Sequence, residues 1–476
     1  MIDLIKGKEV LIVGMARSGI AAAELLSGIG AARITIADQK QDHELSVALA
    51  KMNRYPTVSA VTGGTPPELV TSSLSMIIKS PGVPPTLEIF KQAQSMDIPV
   101  FSEVELAYAY ARAPIIGVTG TNGKTTTTAL ITAMLKEARF DPVVSAGNIG
   151  NPLSGQVSNI SSQGYIVAEL SSFQLENISR FRPAVAVFLN FAEDHIDYHG
   201  TIEQYFAAKA RIFENQTESD YAVLNAGDSA LSSLENKSRG KVIWFDRSEV
   251  SVGVGLDKDW VTIFNPGAPP LRICARSEVA LPGDHNLENA LAAAAAAWAA
   301  GADAQSIGDV LRSFQAIEHR LEKVSVPGGI SYINDSKGTN PGASIKALQS
   351  FPGYSKILIA GGKDKGSDFS SLASVIADQV RYLILYGETK DQIARAVEEA
   401  GFSNYRQVTD LEEAVQLAHD EAESGEIVLL SPACASWDMF PDYEARGKLF
   451  KKLVQNIEGK AKSKGGHGND PAKYSL

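Results

Sequence analysis

One glycine-rich stretch has the composition of a phosphate-binding loop. It follows an apolar, β-branched run at 114–118 and precedes residues at helical spacing, 125–135. Glycines let backbone N–H groups approach an anion at the start of a helix. A lysine in the loop adds charge, and a hydroxyl next to it suits Mg²⁺ beside a nucleotide. The stretch reads Gly120-Thr121-Asn122-Gly123-Lys124-Thr125-Thr126.

We predict that this loop binds ATP. An ordinary tight turn is the alternative, because Val118 stands where a P-loop has its first glycine. Two later segments would supply further groups. Glu169 ends an apolar run, 165–169, and is followed closely by Ser171. A carboxylate and a hydroxyl near a phosphate loop suit Mg²⁺, which takes oxygen ligands and substrate phosphates.

The segment Glu193-Asp194-His195 follows a further expected strand, 185–190. A surface loop would explain one histidine between acids, but a place beyond a central parallel strand favours a functional role. Lys209 occurs on a helical stripe with positions 205, 206, 212 and 213, all apolar. From spacing alone, we favour a lysine whose stem follows the apolar face while its ammonium reaches solvent.

These residues need strands and loops to position them. Near the N-terminus, a strand at 9–13, the turn Gly14–Gly19 and a strand at 33–37 form a βαβ pattern. Ala16 replaces the middle glycine of the dinucleotide fingerprint, so NAD, another nucleotide or no nucleotide all remain open. A strand at 75–79 follows. Ligands in such folds lie beyond the carboxyl ends of strands, so four residues could share a crevice unless their loops are only structural: Ser18, Asp38, Ser80 and Gly82.

A third βαβ series follows residue 313, with strands expected at 329–334, 356–360, 382–386 and 427–430. We predict an α/β protein of three domains: an N-terminal Rossmann-like domain at 1–104, a central P-loop ATPase-like parallel sheet at 105–316 and a C-terminal Rossmann-like domain at 317–458. The tail, 459–476, is rich in lysine and glycine without an apolar pattern, so we expect it to be disordered.

Composition narrows the class of protein. The net charge of −11 without a basic block in the body of the chain argues against a nucleic-acid partner. Cys274 and Cys434 are too few for a disulfide framework and suit a reducing cytoplasm, with Cys434 read as a core thiol. The alanine run at 292–297 is far shorter than the roughly 20 residues of a membrane span. We expect a cytoplasmic monomer without a membrane span.

Together these motifs resemble the Mur ligase family, from about residue 5 to about residue 455. The family's P-loop lacks the first glycine, as this loop does. Within the family, the stretches 335–341 and 431–436 resemble members that add D-glutamate. The other matching motifs follow in order: Asn148, Glu169-Leu170-Ser171-Ser172, Glu193-Asp194-His195, Lys209, His285-Asn286 with Asn289, and His319-Arg320.

The resemblance implies an ATP-dependent ligase that joins D-glutamate to UDP-N-acetylmuramoyl-L-alanine in peptidoglycan precursor synthesis. It implies an acyl-phosphate intermediate, ADP and phosphate as products, and ATP held between the second and third domains. The implied cofactors are ATP, two Mg²⁺ ions and CO₂, the last bound as a carbamate on Lys209.

The resemblance also assigns residues to roles. The catalytic residues would be Lys124, Glu169, His195 and Lys209. The metal ligands would be Thr125, Glu169, Ser171, His195 and Lys209. Besides the loop 120–126, the nucleotide would contact Asn289, Arg320, Asp335 and Lys337. The UDP-substrate would contact Arg17, Ser18, Asp38, Gln39, Ser80, Gly82 and Asn148. D-glutamate would contact His195, Thr339, Lys365, Ser436, Trp437 and Tyr443.

Three of these residues, Gln39, Trp437 and Tyr443, depart from those that family members commonly have there. For Arg320, a solvated linker charge is the alternative. Two other functions remain open for the chain. One is a P-loop NTPase that uses hydrolysis as a conformational switch, and the other is a ligase that adds a different amino acid.

Overall fold

A computed structural model describes residues 1–148, 150–315, 318–364 and 366–464. The chain divides into two compact units. The first unit comprises Met1–Ala280 and Asn286–Phe314, and the second comprises Leu281–His285 and the chain from Gln315 onward. Within the described ranges, no helix is both long and apolar enough to cross a membrane.

The first sheet of the first unit has five parallel strands in the order β3-β2-β1-β4-β5. The order reverses at β1, so the loops after β1 and β4 lie side by side at a topological switch point. The strands are β1 (Glu9–Val13), β2 (Arg33–Ala37), β3 (Val58–Val61), β4 (Leu74–Lys79) and β5 (Val100–Ser102). The helices are α1 (Arg17–Ile29), α2 (Ser46–Met52), α3 (Glu88–Ser95) and α4 (Glu103–Tyr110).

The second sheet of the first unit has nine strands, in the order β14-β13-β12-β11-β10-β9-β6-β8-β7. The strands β6 to β12 pair in parallel, and β13 and β14 extend the sheet antiparallel. The strands are β6 (Ile115–Thr119), β7 (Val143–Gly147), β8 (Tyr165–Glu169), β9 (Val185–Phe188), β10 (Tyr221–Asn225), β11 (Lys241–Phe245), β12 (Gly253–Asp257), β13 (Trp260–Phe264) and β14 (Leu271–Ala275).

The helices of this part of the chain are α5 (Lys124–Glu137), α6 (Ser172–Leu175), α7 (Ile196–His199), α8 (Ile202–Ala210), α9 (Ser229–Ser232), α10 (Asp284–Ala299) and α11 (Ala304–Ser313). All five residues of β6 are buried, and β6 lies between β8 and β9. A strand buried on both faces reads as an apolar run. This explains why the segment before the glycine loop is so strongly apolar.

The two sheets of the first unit share one apolar core, which includes Ile12, Val104 and Ile115. Buried carboxylates add polar links to this core. The N–H of Ser154 donates to Glu103 Oε1 over 2.5 Å, and the N–H of Phe181 donates to Glu105 Oε2 over 2.9 Å. The sheet that contains the switch point is therefore packed onto the sheet that contains the glycine loop.

The second unit has a six-stranded sheet in the order β15-β16-β20-β17-β18-β19, in which only β15 is antiparallel among the described pairs. Apolar cores cover both faces. The strands are β15 (Glu322–Ser325), β16 (Ser331–Asn334), β17 (Lys356–Gly361), β18 (Tyr382–Tyr386), β19 (Tyr405–Gln407) and β20 (Ile427–Leu430). The helices are α12 (Pro341–Gln349), α13 (Ser370–Gln379), α14 (Lys390–Glu399), α15 (Leu411–Glu421) and α16 (Tyr443–Lys464).

The α/β class with mostly parallel sheets is confirmed, and β1, β2, β8, β18 and β20 have the predicted bounds. The strands β3, β5, β7, β10 to β15 and β19 were not predicted. The prediction of a disordered tail from residue 459 began too early, because α16 continues to Lys464. Residues 465–476 lie outside the described residues, and the predicted domain boundaries stay predictions.

Candidate active site

The glycine loop connects β6 to α5 with two glycines in the left-handed region. Gly120 has φ 149° and Gly123 has φ 85°, which side chains rarely adopt. A Cβ on Gly123 would lie 2.1 Å from Oδ1 of Asn289 in α10. Glycine is thus required for both the backbone turn and the approach of Asn289. The predicted loop and Asn289 do come together.

Lys124 folds back into the loop. Its Nζ donates to the carbonyls of Gly120 and Thr121, each over 2.8 Å. Asn190, two residues beyond the end of β9, supports the backbone of the loop. The Asn122 N–H donates to Asn190 Oδ1 over 2.9 Å, and Asn190 Nδ2 donates to the Asn122 carbonyl over 3.1 Å. Sequence reasoning missed Asn190, although a polar residue just after a buried strand was the available signal.

Glu169, at the end of β8, is 2% exposed. Its carboxylate accepts hydrogen bonds from two residues predicted to belong to the site. Thr125 Oγ1 donates to its Oε2 over 2.7 Å, and Asn148 Nδ2 donates to its Oε1 over 3.0 Å. Ser171 differs, because its hydroxyl donates to Gln174 in the capping box of α6. The structure therefore joins Thr125 to Glu169, while the Ser171 hydroxyl is engaged in capping.

The oxygen atoms of this cluster suit Mg²⁺ bound together with a nucleotide, rather than a metal ion held by protein ligands alone. Among the described residues, no group of three or more His, Cys, Asp or Glu side chains could hold a metal ion. Mg²⁺ usually takes one or two carboxylates and completes its shell with waters and substrate phosphates. The Glu169 carboxylate and the Thr125 hydroxyl, beside a phosphate-binding loop, match that pattern.

Lys209 is buried in α8, with 2% exposure. Its Nζ donates to the Gly120 carbonyl over 2.8 Å and lies 4.7 Å from the centre of the Tyr205 ring. Burial, and then the charge of Lys124, lowers the pKa of Lys209 well below its ordinary value. The interpretation of a solvent-reaching lysine is wrong, because Lys209 is buried and its Nζ contacts the Gly120 carbonyl of the glycine loop instead of solvent. Lys209 therefore loses its proton more readily than an exposed lysine.

His195 lies just before α7 with φ 55°, in the left-handed region. Its ring packs against Phe173 with the ring centres 4.9 Å apart and against Tyr205 with the centres 6.1 Å apart. Tyr205 therefore neighbours both His195 and Lys209. The structure places these two predicted residues around one aromatic ring.

Two of the residues predicted for the UDP-substrate contact the loop after β1, whereas Asn148 contacts Glu169 instead. Asp38 Oδ2 accepts from the Met15 N–H over 2.6 Å, and Ser80 Oγ donates to the Gly14 carbonyl over 3.0 Å. Arg17 Nη1 reaches the Gly150 carbonyl over 3.5 Å. The sheet order explains the two contacts with the loop after β1, because β1 lies between β2 and β4. The other predicted members here are Ser18, Gln39 and Gly82, of which Gln39 and Gly82 are exposed.

In the second unit, predicted residues follow β16 and β20. Asp335 is buried, and Ser431 Oγ donates to its Oδ2 over 2.8 Å. Burial raises the pKa of Asp335 to about 6, against the lowering effect of Arg320. Ser436 is also buried, whereas Trp437 is 67% exposed. Lys337 Nζ lies 5.2 Å from the centre of the Tyr443 ring, and Thr339 donates its N–H to the Lys337 carbonyl.

Lys365 lies outside the described residues. Arg446 in α16 is fully buried and was missed by sequence reasoning. Its guanidinium donates to the Ser336 carbonyl over 2.8 Å and to the Cys434 carbonyl over 3.2 Å. Arg446 thus ties the loop after β16 to the loop after β20. Cys434 is buried, as predicted for a core thiol.

Comparison with known proteins finds two family models that match separate segments of the chain. The family model described as Mur ligase middle domain matches residues 118–297, and the one described as Mur ligase, glutamate ligase domain matches residues 319–434. A UDP-N-acetylmuramoylalanine–D-glutamate ligase of Pelotomaculum thermopropionicum is 45% identical over 95% of this chain and 98% of its own. The chain belongs to the Mur ligase family. As a Mur ligase it is an ATP-dependent ligase.

Other Mur ligases also match this chain over most of its length. A UDP-N-acetylmuramoylalanine–D-glutamate ligase of Clostridioides difficile is 42% identical over 95% of this chain and all of its own. The crystal structure of the UDP-N-acetylmuramate–alanine ligase of Thermotoga maritima covers 94% of this chain and 99% of its own, with a TM-score of 0.59 at 18% identity. The MurF ligase of the same organism, solved in complex with ADP, covers 98% of this chain and all of its own, with a TM-score of 0.57 at 16% identity. These structural likenesses show the Mur ligase fold.

Proposed function

We propose that this Mur ligase joins D-glutamate to UDP-N-acetylmuramoyl-L-alanine at the expense of ATP, in the cytoplasmic synthesis of peptidoglycan precursors. The observation that supports this most is the near full-length match to relatives named as D-glutamate ligases. The site geometry agrees with it, because the glycine loop, Lys124 and Glu169 are grouped as a nucleotide and Mg²⁺ would require.

The chemistry needs activation, since a carboxylate has no good leaving group. We propose that the γ-phosphoryl group of ATP is transferred to the substrate carboxylate, which gives an acyl phosphate and ADP. The amine of D-glutamate then attacks the carbonyl carbon and loses a proton. The carbon–oxygen bond to the phosphoryl group breaks, and phosphate leaves with the electron pair. The products are an amide, ADP and phosphate.

The residues of the first unit can support this reaction by charge and position. Lys124 and the loop amides would offset negative charge on the phosphates during transfer. Glu169 and Thr125 would hold Mg²⁺, and Asn148 would orient the Glu169 carboxylate. Mg²⁺, when bound, would supply positive charge beside the phosphates.

We also propose a carbamate on Lys209. Its neutral amine attacks CO₂, an N–C bond forms as one C–O π bond opens, and one proton is released to solvent, so that the amine becomes a carboxylate-like anion. The buried position of Lys209 supports this, since burial favours the neutral amine that reacts. The carbamate oxygens and His195 would be ligands for a second Mg²⁺.

Binding roles follow the motif matches. The UDP-substrate would lie at the carboxyl ends of β1 and β4, beside Asp38 and Ser80. The second unit would supply contacts to D-glutamate from Thr339, Ser436 and Tyr443. The predicted roles of Lys365, Trp437, Arg320, Asp335 and Lys337 are kept as proposals.

The test is ADP release with ATP, Mg²⁺ and UDP-N-acetylmuramoyl-L-alanine, repeated with each of D-glutamate, L-glutamate, D-alanine, L-alanine and L-lysine. We expect fast release with D-glutamate alone. A faster reaction with another amino acid would contradict the D-glutamate assignment. Full ATP turnover without either substrate would instead support a hydrolytic switch.

A further inference from the structure

Three polar side chains outside the proposed site form a triangle of contacts in the first unit. They are Lys79 at the end of β4, Glu176 just after α6 and Tyr198 in α7. Lys79 Nζ lies 3.1 Å from Glu176 Oε2 and 2.5 Å from Tyr198 Oη. Tyr198 Oη also donates to Glu176 Oε2 over 2.9 Å. Each member therefore contacts both of the others.

One side of the triangle adjoins the loop proposed for the UDP-substrate. Lys79 directly precedes Ser80, whose hydroxyl donates to the Gly14 carbonyl. Tyr198 Oη lies 3.5 Å from the Val83 carbonyl of the same loop. The triangle thus contacts the segment 80–83 at both ends, through Lys79 and through the Val83 carbonyl.

The other side adjoins His195. The Tyr198 N–H donates to the His195 carbonyl over 3.2 Å. The Tyr198 ring meets Phe173 at 4.5 Å between ring centres, and Phe173 in turn meets the His195 ring. α7 has only four residues, so its placement depends on tertiary contacts rather than on its own stability. His195 has a strained left-handed backbone, which persists only where surrounding contacts hold it.

The three side chains of the triangle depend on one another because Lys79 is a buried cation paired with Glu176. The Lys79 side chain is 4% exposed, and burial lowers its pKa while Glu176 opposes that shift. A buried ammonium needs its partner, because an unpaired buried charge is strongly unfavourable. Loss of one member is therefore expected to disturb the other two.

We propose that Lys79, Glu176 and Tyr198 are positioning residues for the ligase reaction, which keep the His195 segment at a fixed place relative to the loop 80–83. This rests on the proposed function. None of the three is assigned a contact with substrate. They act through His195 and Ser80, so that the substrate carboxylate and the residues around His195 keep the spacing that transfer requires. Misplacement by about 1 Å can lower a rate about 100-fold.

The test compares Tyr198→Phe, Lys79→Met and the double variant with the wild-type protein. Tyr198→Phe removes the hydroxyl but keeps the ring against Phe173. We expect each single variant to lower kcat about 10-fold, with the KM for ATP within about twofold of wild type. The double variant should be no slower than the slower single variant within about twofold, because coupled residues are not additive. Tyr165→Phe is the matched control, since its hydroxyl donates to the Ala300 carbonyl away from the triangle, and it should keep wild-type kcat.

A structural tie without a positioning role would lower the thermal midpoint and leave kcat unchanged in the folded protein. That result, or single effects that multiply in the double variant, would overturn the inference. Tyr198→Phe decides the question by itself should Lys79→Met fail to fold. A wild-type protein without D-glutamate-dependent ADP release would overturn the proposed function as well, whereas an active wild type with equally active variants overturns the inference alone.

Discussion

Lys124 supplies a cation inside the phosphate-binding loop, where its ammonium already contacts two loop carbonyls. We expect Lys124→Ala to lower ADP release by at least about 100-fold at saturating ATP and Mg²⁺, because developing charge on the phosphoryl group loses its partner. The measurement is coupled ADP release, with circular dichroism to check the fold. Lys136→Ala, an exposed lysine on the same helix, should keep normal activity. Substantial turnover by Lys124→Ala would contradict the assignment of the loop.

Lys209 is buried, and burial and the charge of Lys124 lower its pKa, so its reactive neutral amine forms more readily than that of an exposed lysine. If it forms a carbamate, Lys209→Ala should lose nearly all activity. Lys209→Arg should not restore it, because a guanidinium cannot become a metal-binding anion. A small added carboxylic acid should partly rescue the alanine variant.

The carbamate also has a direct readout. Carbon-13 NMR in ¹³C-labelled bicarbonate should show a carbamate signal in the wild-type protein that is absent from Lys209→Arg. Near-normal rates for Lys209→Arg would show that no carbamate is needed.

At the scale of elements, the end of β9 shapes the loop that follows β6. The Asn190 side chain makes two hydrogen bonds to the backbone of Asn122, one as acceptor and one as donor. Each is worth about 1 kcal/mol. We expect Asn190→Ala to raise the KM for ATP about 10-fold, because the loop loses its ordered shape.

The acidic variant sharpens this test. Asn190→Asp keeps the acceptor for the Asn122 N–H but places negative charge near the phosphates, so its KM for ATP should rise further than that of Asn190→Ala. Asn236→Ala, at an exposed position, is the control. An unchanged KM for ATP in both Asn190 variants would show that the loop keeps its shape without this side chain.

At the scale of the whole molecule, the glycine loop belongs to the first unit, and most residues assigned to D-glutamate belong to the second. Because the residues assigned to ATP and to D-glutamate lie mostly in different units, we expect ATP use to require both UDP-N-acetylmuramoyl-L-alanine and D-glutamate. If the acyl phosphate forms, a substrate labelled with ¹⁸O in its carboxylate should transfer one labelled oxygen to phosphate for each amide formed. Mass spectrometry of the phosphate measures this. Phosphate without label would exclude an acyl phosphate.

The local pattern predicted much of the framework. The bounds of β2, β8, β18 and β20 follow from apolar runs that end in polar residues, and the glycine loop follows from its residue types. The strands β10 to β14 were missed, although β10 and β12 are mostly buried, because these strands have only five residues each and short apolar runs do not by themselves distinguish a strand from a helix. The Asp335 carboxylate was assigned to the nucleotide, but its burial and raised pKa were not foreseen.

The sequence by itself determined the α/β framework, the phosphate-binding loop and the order of the family motifs, because neighbouring residues specify strands, turns and helix starts. The tertiary structure alone decided which side chains meet across that framework. Lys209 contacts Gly120 over 89 positions, Asn190 contacts Asn122 over 68, and Lys79 contacts Glu176 over 97. Such contacts depend on the order of the strands within each sheet and on which face each helix covers. The periodicity of a local segment specifies neither the order of the strands nor the face that a helix covers. The burial of Lys209 and the polar triangle therefore became visible only in the folded chain.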